Sequence, residues 1–243
     1  MWTYLLIFSS LLTLLIVFVR RSWLLKKGGL AKPEKATVSE EALKPEMPKK
    51  VASDVQEQVE NLCKRSEALL RQGKDDEAVK CFVQALALDE FHQETQHRLA
   101  MLYLKKQMFG AAAALFKQLG EVTGDPVHYS HLGLALYQQS NYPEALSAYQ
   151  KAVEIDDSRP QRFISLAQVY RAMGKTNNAI VALKKSIEID EQNLDNIFLL
   201  AELQIELENY DEAEVILKKL LEIEPEYVEA KTLLSELRKI KEA

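Results

Sequence analysis

Four histidines, His92, His97, His128 and His131, are the nearest thing to a reactive cluster in this chain of 243 residues. His97 and His131 stand 34 positions apart, so they project from equivalent or adjacent places on neighbouring helical units. A metal ion would want a third ligand, and the spacing places none, so surface or groove histidine is the expectation. Cys63 and Cys81 match no metal-ligand spacing and read as two reduced, unpaired thiols. There is no Gly-rich phosphate loop, no Cys-x-x-Cys, no His-Glu-x-x-His and no nucleophile elbow. The expectation is a non-enzyme with no cofactor and no metal.

The elements that carry these residues repeat. Ala78, Ala112, Ala145, Ala179 and Ala213 recur at spacings of 34, 33, 34 and 34. Ser66, Ala100, Gly133, Ala167, Ala201 and Ser235 form a second ladder in the same register. Phe82, Phe116, Tyr149, Leu183 and Leu217 form a third, four positions after each alanine of the first. Three ladders in phase mark a repeat array. Within the third copy, Tyr129, Leu132, Gly133 and Leu136 share one face of a first helix, as Ala145, Ala148, Tyr149 and Ala152 share one face of a second. Small residues at Gly133 and Ala145 suit the closest approach of the two backbones, with larger side chains filling the gaps around them. Gly73-Lys74, Ser140-Asn141 and Gly174-Lys175 separate the helices, where glycine suits a left-handed cap and an antiparallel turn.

This pattern resembles the tetratricopeptide repeat (TPR) family. The third copy carries Tyr129, Leu132, Gly133, Leu136, Tyr142, Ala145, Tyr149 and Ala152, with Asp157 where the family usually has proline. The fourth carries Phe163, Leu166, Ala167, Tyr170, Ala179, Leu183 and Ser186; the fifth carries Ile197, Leu200, Ala201, Ala213, Leu217, Leu220 and the closing Pro225. Copies one and two depart from it: Arg65 replaces the first-helix leucine, and the second copy, ending at Gly124-Asp125, is one residue short. The resemblance implies an all-α helix-turn-helix solenoid over 53–243. Its repeats are 59–92, 93–125, 126–159, 160–193 and 194–227, and a capping helix occupies 228–243. Leu233, Leu234, Leu237 and Ile240 are expected as the inner stripe of that cap, with Lys231 and Arg238 on the outer face, as a solenoid end requires.

What the family offers is a concave groove lined by first helices. Mapped by position, the lining comprises His97, Arg98, Met101, His131, Leu134, Tyr137, Ile164, Gln168, Arg171, Phe198 and Glu202. Apolar and hydrogen-bonding groups mixed in this way suit an extended or helical peptide. A subtype of the family clamps a chaperone's C-terminal carboxylate with Lys, Asn, Asn, Lys and Arg. The corresponding positions are Cys63, Glu67, Arg98, Val127 and His131, or one repeat later His97, Met101, His131, Gln161 and Ser165. Neither set is a clamp, which disfavours chaperone tails.

The N-terminus is a different material. Residues 2–19 carry no charge and are rich in Leu, Ile, Val and Phe; eighteen helical residues reach roughly 27 Å, the thickness of a bilayer core. No basic residue precedes them and no small-x-small site follows, so an uncleaved transmembrane anchor is expected rather than a signal peptide. Arg20, Arg21, Lys26 and Lys27 follow the stretch and place the repeats on the cytoplasmic side by the positive-inside rule. Residues 20–52 form a Pro-containing linker with nine basic and four acidic residues, net +5. Residues 53–243 hold the remaining 22 basic and 32 acidic residues, net −10, a balance that repels nucleic acid. The expected partners are therefore a protein or peptide in the groove and the bilayer at the anchor. The layout resembles single-pass bacterial inner-membrane TPR proteins acting as cytoplasmic-face adaptors. The alternatives are an exported periplasmic or secreted TPR protein and an organelle import receptor.

Overall fold

The computed structural model describes residues 53–242 of the chain. The expected anchor at 2–19 and the linker at 20–52 lie outside them. Among the described residues no helix is long and apolar enough to cross a membrane.

Eleven helices and no strand make up the described part. The first helices of the repeats are α1 (Ser53–Arg71), α3 (Gln93–Lys105), α5 (Pro126–Gln138), α7 (Pro160–Ala172) and α9 (Leu194–Glu206). The second helices are α2 (Asp75–Leu88), α4 (Phe109–Thr123), α6 (Tyr142–Ile155), α8 (Thr176–Ile189) and α10 (Tyr210–Ile223), and α11 (Val228–Glu242) closes the array. Each helix packs on the next in sequence, so the architecture is an all-α solenoid. α1 begins six residues before the first expected repeat boundary, and α11 continues two residues past Ile240.

The alanine ladder has a direct physical cause. Ala78, Ala112, Ala145, Ala179 and Ala213 are all completely buried. They sit where second helices meet first helices, and a longer side chain would push the pair apart. The opposing ladder is as tight: a Cβ added at Gly133 would stand 2.8 Å from the Tyr149 ring. Phe82, Phe116, Leu183 and Leu217, also completely buried, fill the space beside these contacts. The buried apolar side chains fall into three clusters. One joins repeats one and two, a long one runs from Ala100 to Leu203, and one joins the fifth repeat to the cap.

The turns inside the repeats are alike whatever their sequence. Gly73, Gln107, Ser140, Gly174 and Glu208 all have left-handed backbone, with φ between 59° and 73°. The next residue's N–H donates to a carbonyl five residues back in every case: Lys74 to Leu69, Met108 to Tyr103, Asn141 to Leu136, Lys175 to Tyr170 and Asn209 to Gln204. This is the Schellman closure, which satisfies carbonyls the helix end would leave open. Glycine marks two of these turns in the sequence; Gln107, Ser140 and Glu208 adopt the same conformation because the packed helices impose it.

Between repeats, acids close the turn. Asp89, Asp156 and Asp190 each accept, through Oδ1, the N–H two residues on, at 3.2, 3.0 and 3.3 Å. The shortened second copy uses Gly124 instead, at φ 66°, followed by Asp125 capping α5 through the Val127 N–H at 2.8 Å. Pro126 then occupies the first turn of α5, where its missing N–H costs nothing.

Two expectations at the ends need correction. Ile240 is not part of the inner stripe of the cap: it is 51% exposed, and Ala230, Leu234 and Leu237 are the buried residues there. No described helix follows α11, so the face on which Ile240 lies has nothing packed over it. Ser235, the last member of the small-residue ladder, is exposed for the same reason. Arg65 breaks the first-helix pattern because it too is exposed. No described helix precedes α1, so the position that carries buried Leu99 and Leu132 in later copies faces outward in the first.

Candidate binding face

All eleven groove candidates lie on first helices, and each has some exposure. Met101 and Leu134 are exposed apolar side chains at equivalent positions of α3 and α5. Gln168 and Arg171 are exposed on α7; His97, Arg98, His131, Tyr137, Ile164, Phe198 and Glu202 are half-buried. The aromatic members are braced by neighbours. Tyr137 stands 5.5 Å, ring to ring, from Tyr142 of α6, and Phe198 stands 5.6 Å from Tyr227 at the start of the cap. Such bracing fixes a side chain at low entropic cost and leaves one edge free for contact.

The two arginines are not free forks. Arg98 of α3 is held by Glu67 of α1 and by Glu94 one turn earlier. Arg171 is held by Glu206 of α9. In the free chain the Arg171 guanidinium is thus already engaged by a carboxylate of the next first helix.

One concavity on the first-helix side lies between α1 and α3. It is an open pocket of about 500 Å³ lined by Glu67, Leu70, Phe82, His97, Arg98, Met101, Leu102 and Lys105. Sequence reasoning placed three of these residues, His97, Arg98 and Met101, in the groove and left the α1 contribution out of it. The signal was present: Glu67 and Leu70 follow Ser66 by one and four positions, as Leu134 and Tyr137 follow Gly133.

Next to that pocket the histidines gather. His97 of α3 lies 5.3 Å, ring to ring, from His128 and 6.1 Å from His131, both on α5. Beneath them is Phe116, stacked on His131 at 5.0 Å and meeting His97 edge-on at 6.0 Å. His128 therefore supplies the third imidazole that spacing alone did not place. The rings surround Phe116 without converging on one point. Among the described residues no three His, Cys, Asp or Glu side chains stand close enough to hold a metal ion. The fourth histidine is structural: the His92 Nδ1 accepts the Thr95 N–H and caps α3. Thr95 also contacts the buried Cys63 thiol at 3.0 Å, tying α1 to α3.

Family models described as tetratricopeptide repeat match residues 59–92, 126–192 and 170–237, together more than half of the chain. The chain belongs to the tetratricopeptide repeat family. Solved structures share this TPR fold. The MamA protein matches at a TM-score of 0.66 and 22% identity, over 72% of this chain and 96% of MamA. MamA from Desulfovibrio magneticus RS-1 matches at 0.63 and 15%, over 74% and 99%. YrrB, described as a TPR protein with an unusual peptide-binding site, matches at 0.61 and 18%, over 76% and 98%. No curated protein matches this TPR chain by sequence.

Proposed function

We propose that this protein is a non-enzymatic adaptor, anchored in a membrane by residues 2–19 and holding a protein or peptide on the first-helix face of its TPR array at the cytoplasmic side. The observation that carries the binding reading is the row of exposed or half-buried Met101, Leu134, Tyr137, Ile164 and Phe198 beside the 500 Å³ pocket. Exposed apolar groups interleaved with hydrogen-bonding ones, on a rigid helical scaffold, suit capture of a peptide. The peptide-binding site named for YrrB, a protein of the same fold, supports this reading. The anchor reading rests on the uncharged stretch before Arg20-Arg21, and tethering would raise the effective concentration of whatever the array holds.

A photo-crosslinking amino acid at Leu134, in intact cells, is expected to trap a partner that Met101→Ala with Tyr137→Ala abolishes. The same group at Lys185 on the second-helix side should trap none. Crosslinking from Lys185 alone would transfer the function to the opposite face. Carbonate washing should leave the chain in the membrane and external protease should spare the repeats; release or digestion would remove the anchor or reverse its orientation.

A further inference from the structure

The three imidazoles around Phe116 sit across the junction of the second and third repeats, and the mechanism of a passive scaffold has no use for them. We propose that this cluster is a proton-operated joint: charging the histidines loosens α3 from α5, and with them the part of the binding face built from His97, Met101, His131 and Leu134, while the other repeats stay packed.

Geometry is the ground for it. His97 lies within 5.3 and 6.1 Å of the other two rings, so any two charges among them repel at short range. The His97 Nδ1 is buried and has no hydrogen-bond partner, so no built-in acceptor stands ready for a proton there. The tautomer of His128 follows from its neighbours. Thr123 gives its only hydroxyl proton to the Leu119 carbonyl at 2.7 Å, so the 2.9 Å contact with His128 is Nδ1–H donating to Thr123 Oγ1. Nε2 of His128 is then the basic nitrogen, and a proton arriving there adds a full charge beside His97.

The charged surroundings do little to offset that charge. From the turn before α5, Asp125 favours protonation of His128 and His131, but burial outweighs it at both rings. From α1 and α3, Glu67 and Glu94 are occupied by Arg98. α4 contributes Phe116 and Thr123, neither of them charged; the buried charge of α7, Arg162, is turned to Asp156. Burial, followed by the neighbouring imidazoles, therefore holds His131 below the ordinary histidine range, and burial does the same for His128. The sign follows: the unfolded or opened chain binds more protons than the closed one. Closure is strongest above about pH 6.5 and weakens as the pH falls from there through the folded values.

The consequence for a ligand rests on the binding-face reading given above, but the joint can be tested with no ligand present. The experiment is amide hydrogen exchange on the full chain in detergent at pH 7.5 and 5.5, corrected for intrinsic rates. Protection in α3 and α5 is expected to fall severalfold more than in α9 and α10, because only the former pair carries the linked histidines. His128→Gln with His131→Gln should abolish that difference and keep the protection seen at pH 7.5. A uniform loss, no loss, or an unchanged difference in the variant overturns the proposal. Should the variant not fold, the Cε1–H resonances of the parent decide. Midpoints below the ordinary value for His128 and His131 sustain the joint, and ordinary or raised midpoints overturn it.

Discussion

The junction between repeats two and three and the junction between repeats four and five use one backbone plan and opposite chemistry. On the second-helix side each forms a groove, of about 340 Å³ and 370 Å³ respectively. The earlier groove is lined with Ala113, Ala114, Ser147 and Ala148; at matching positions the later one has Ile216 and the exposed Val215, and beside it Val181 is 63% exposed. On the first-helix side the earlier junction holds three histidines around Phe116, whereas the later one places Glu202 and an Arg171–Glu206 ion pair beside Phe198. Charge follows the same division: residues 194–227 carry ten acids and two lysines, against four acids and two basic residues in 126–159. The ladders fix how helices stack and leave every other position open. Neighbouring repeats can thus be titratable in one place and aliphatic and acidic in another.

The largest expected effect compares two equivalent core residues. Phe116→Ala should cost about 3–5 kcal/mol and Leu183→Ala about 2–5 kcal/mol in urea denaturation. If the junctions differ as described, the first also flattens the pH dependence of stability below pH 6.5, and the second leaves it intact. Equal pH profiles in the two variants would erase the distinction.

Gly133→Ala sharpens the contrast by overpacking. Its Cβ meets the Tyr149 ring, so a loss of about 1–3 kcal/mol is expected, centred on α5 and α6. A melting temperature equal to the parent's would mean that the two helices have room to separate. A smaller and opposite change should come from the turns. Gln107→Gly and Glu208→Gly remove a left-handed strain of about 1–2 kcal/mol each, less the entropy glycine costs. Both variants should therefore denature at higher urea than the parent, while Gly174→Ala denatures lower. The smallest effect belongs to the cap, where Lys241 bridges Asp211 and Glu214 of α10. Lys241→Met should shift the midpoint least of all, and about 1 M salt should remove the difference.

The helical register was legible because the constraint at Ala78, Ala112, Ala145, Ala179 and Ala213 is local and severe: only a small residue lets the pair close. The left-handed turns at Gln107 and Glu208 were not legible, since neither residue prefers that conformation and packing forces it. Pairings at long range were hidden for another reason. Arg171 and Glu206 are 35 residues apart, and either could have served a ligand until the helices fixed their distance. The place of His128 between the other two rings was hidden because the second copy lacks one residue. His97 and His131 therefore stand one step out of register, and a third histidine three residues before His131 fills the gap between them.

The division of the core into three clusters gives the array a mechanical character. The middle is one continuous core, joined to the ends through the half-buried Tyr103, Leu115 and Ile216, and such thinly joined ends yield before the centre under tension. Pulled from its termini, the array should release the α1–α2 end and the α10–α11 end as short extensions at low force. The stretch from Ala100 to Leu203 would hold until a higher load and then lengthen in a single long step. Such a molecule works as a stiff strut with two yielding couplings, able to absorb displacement at its attachments without losing the shape of its central surface.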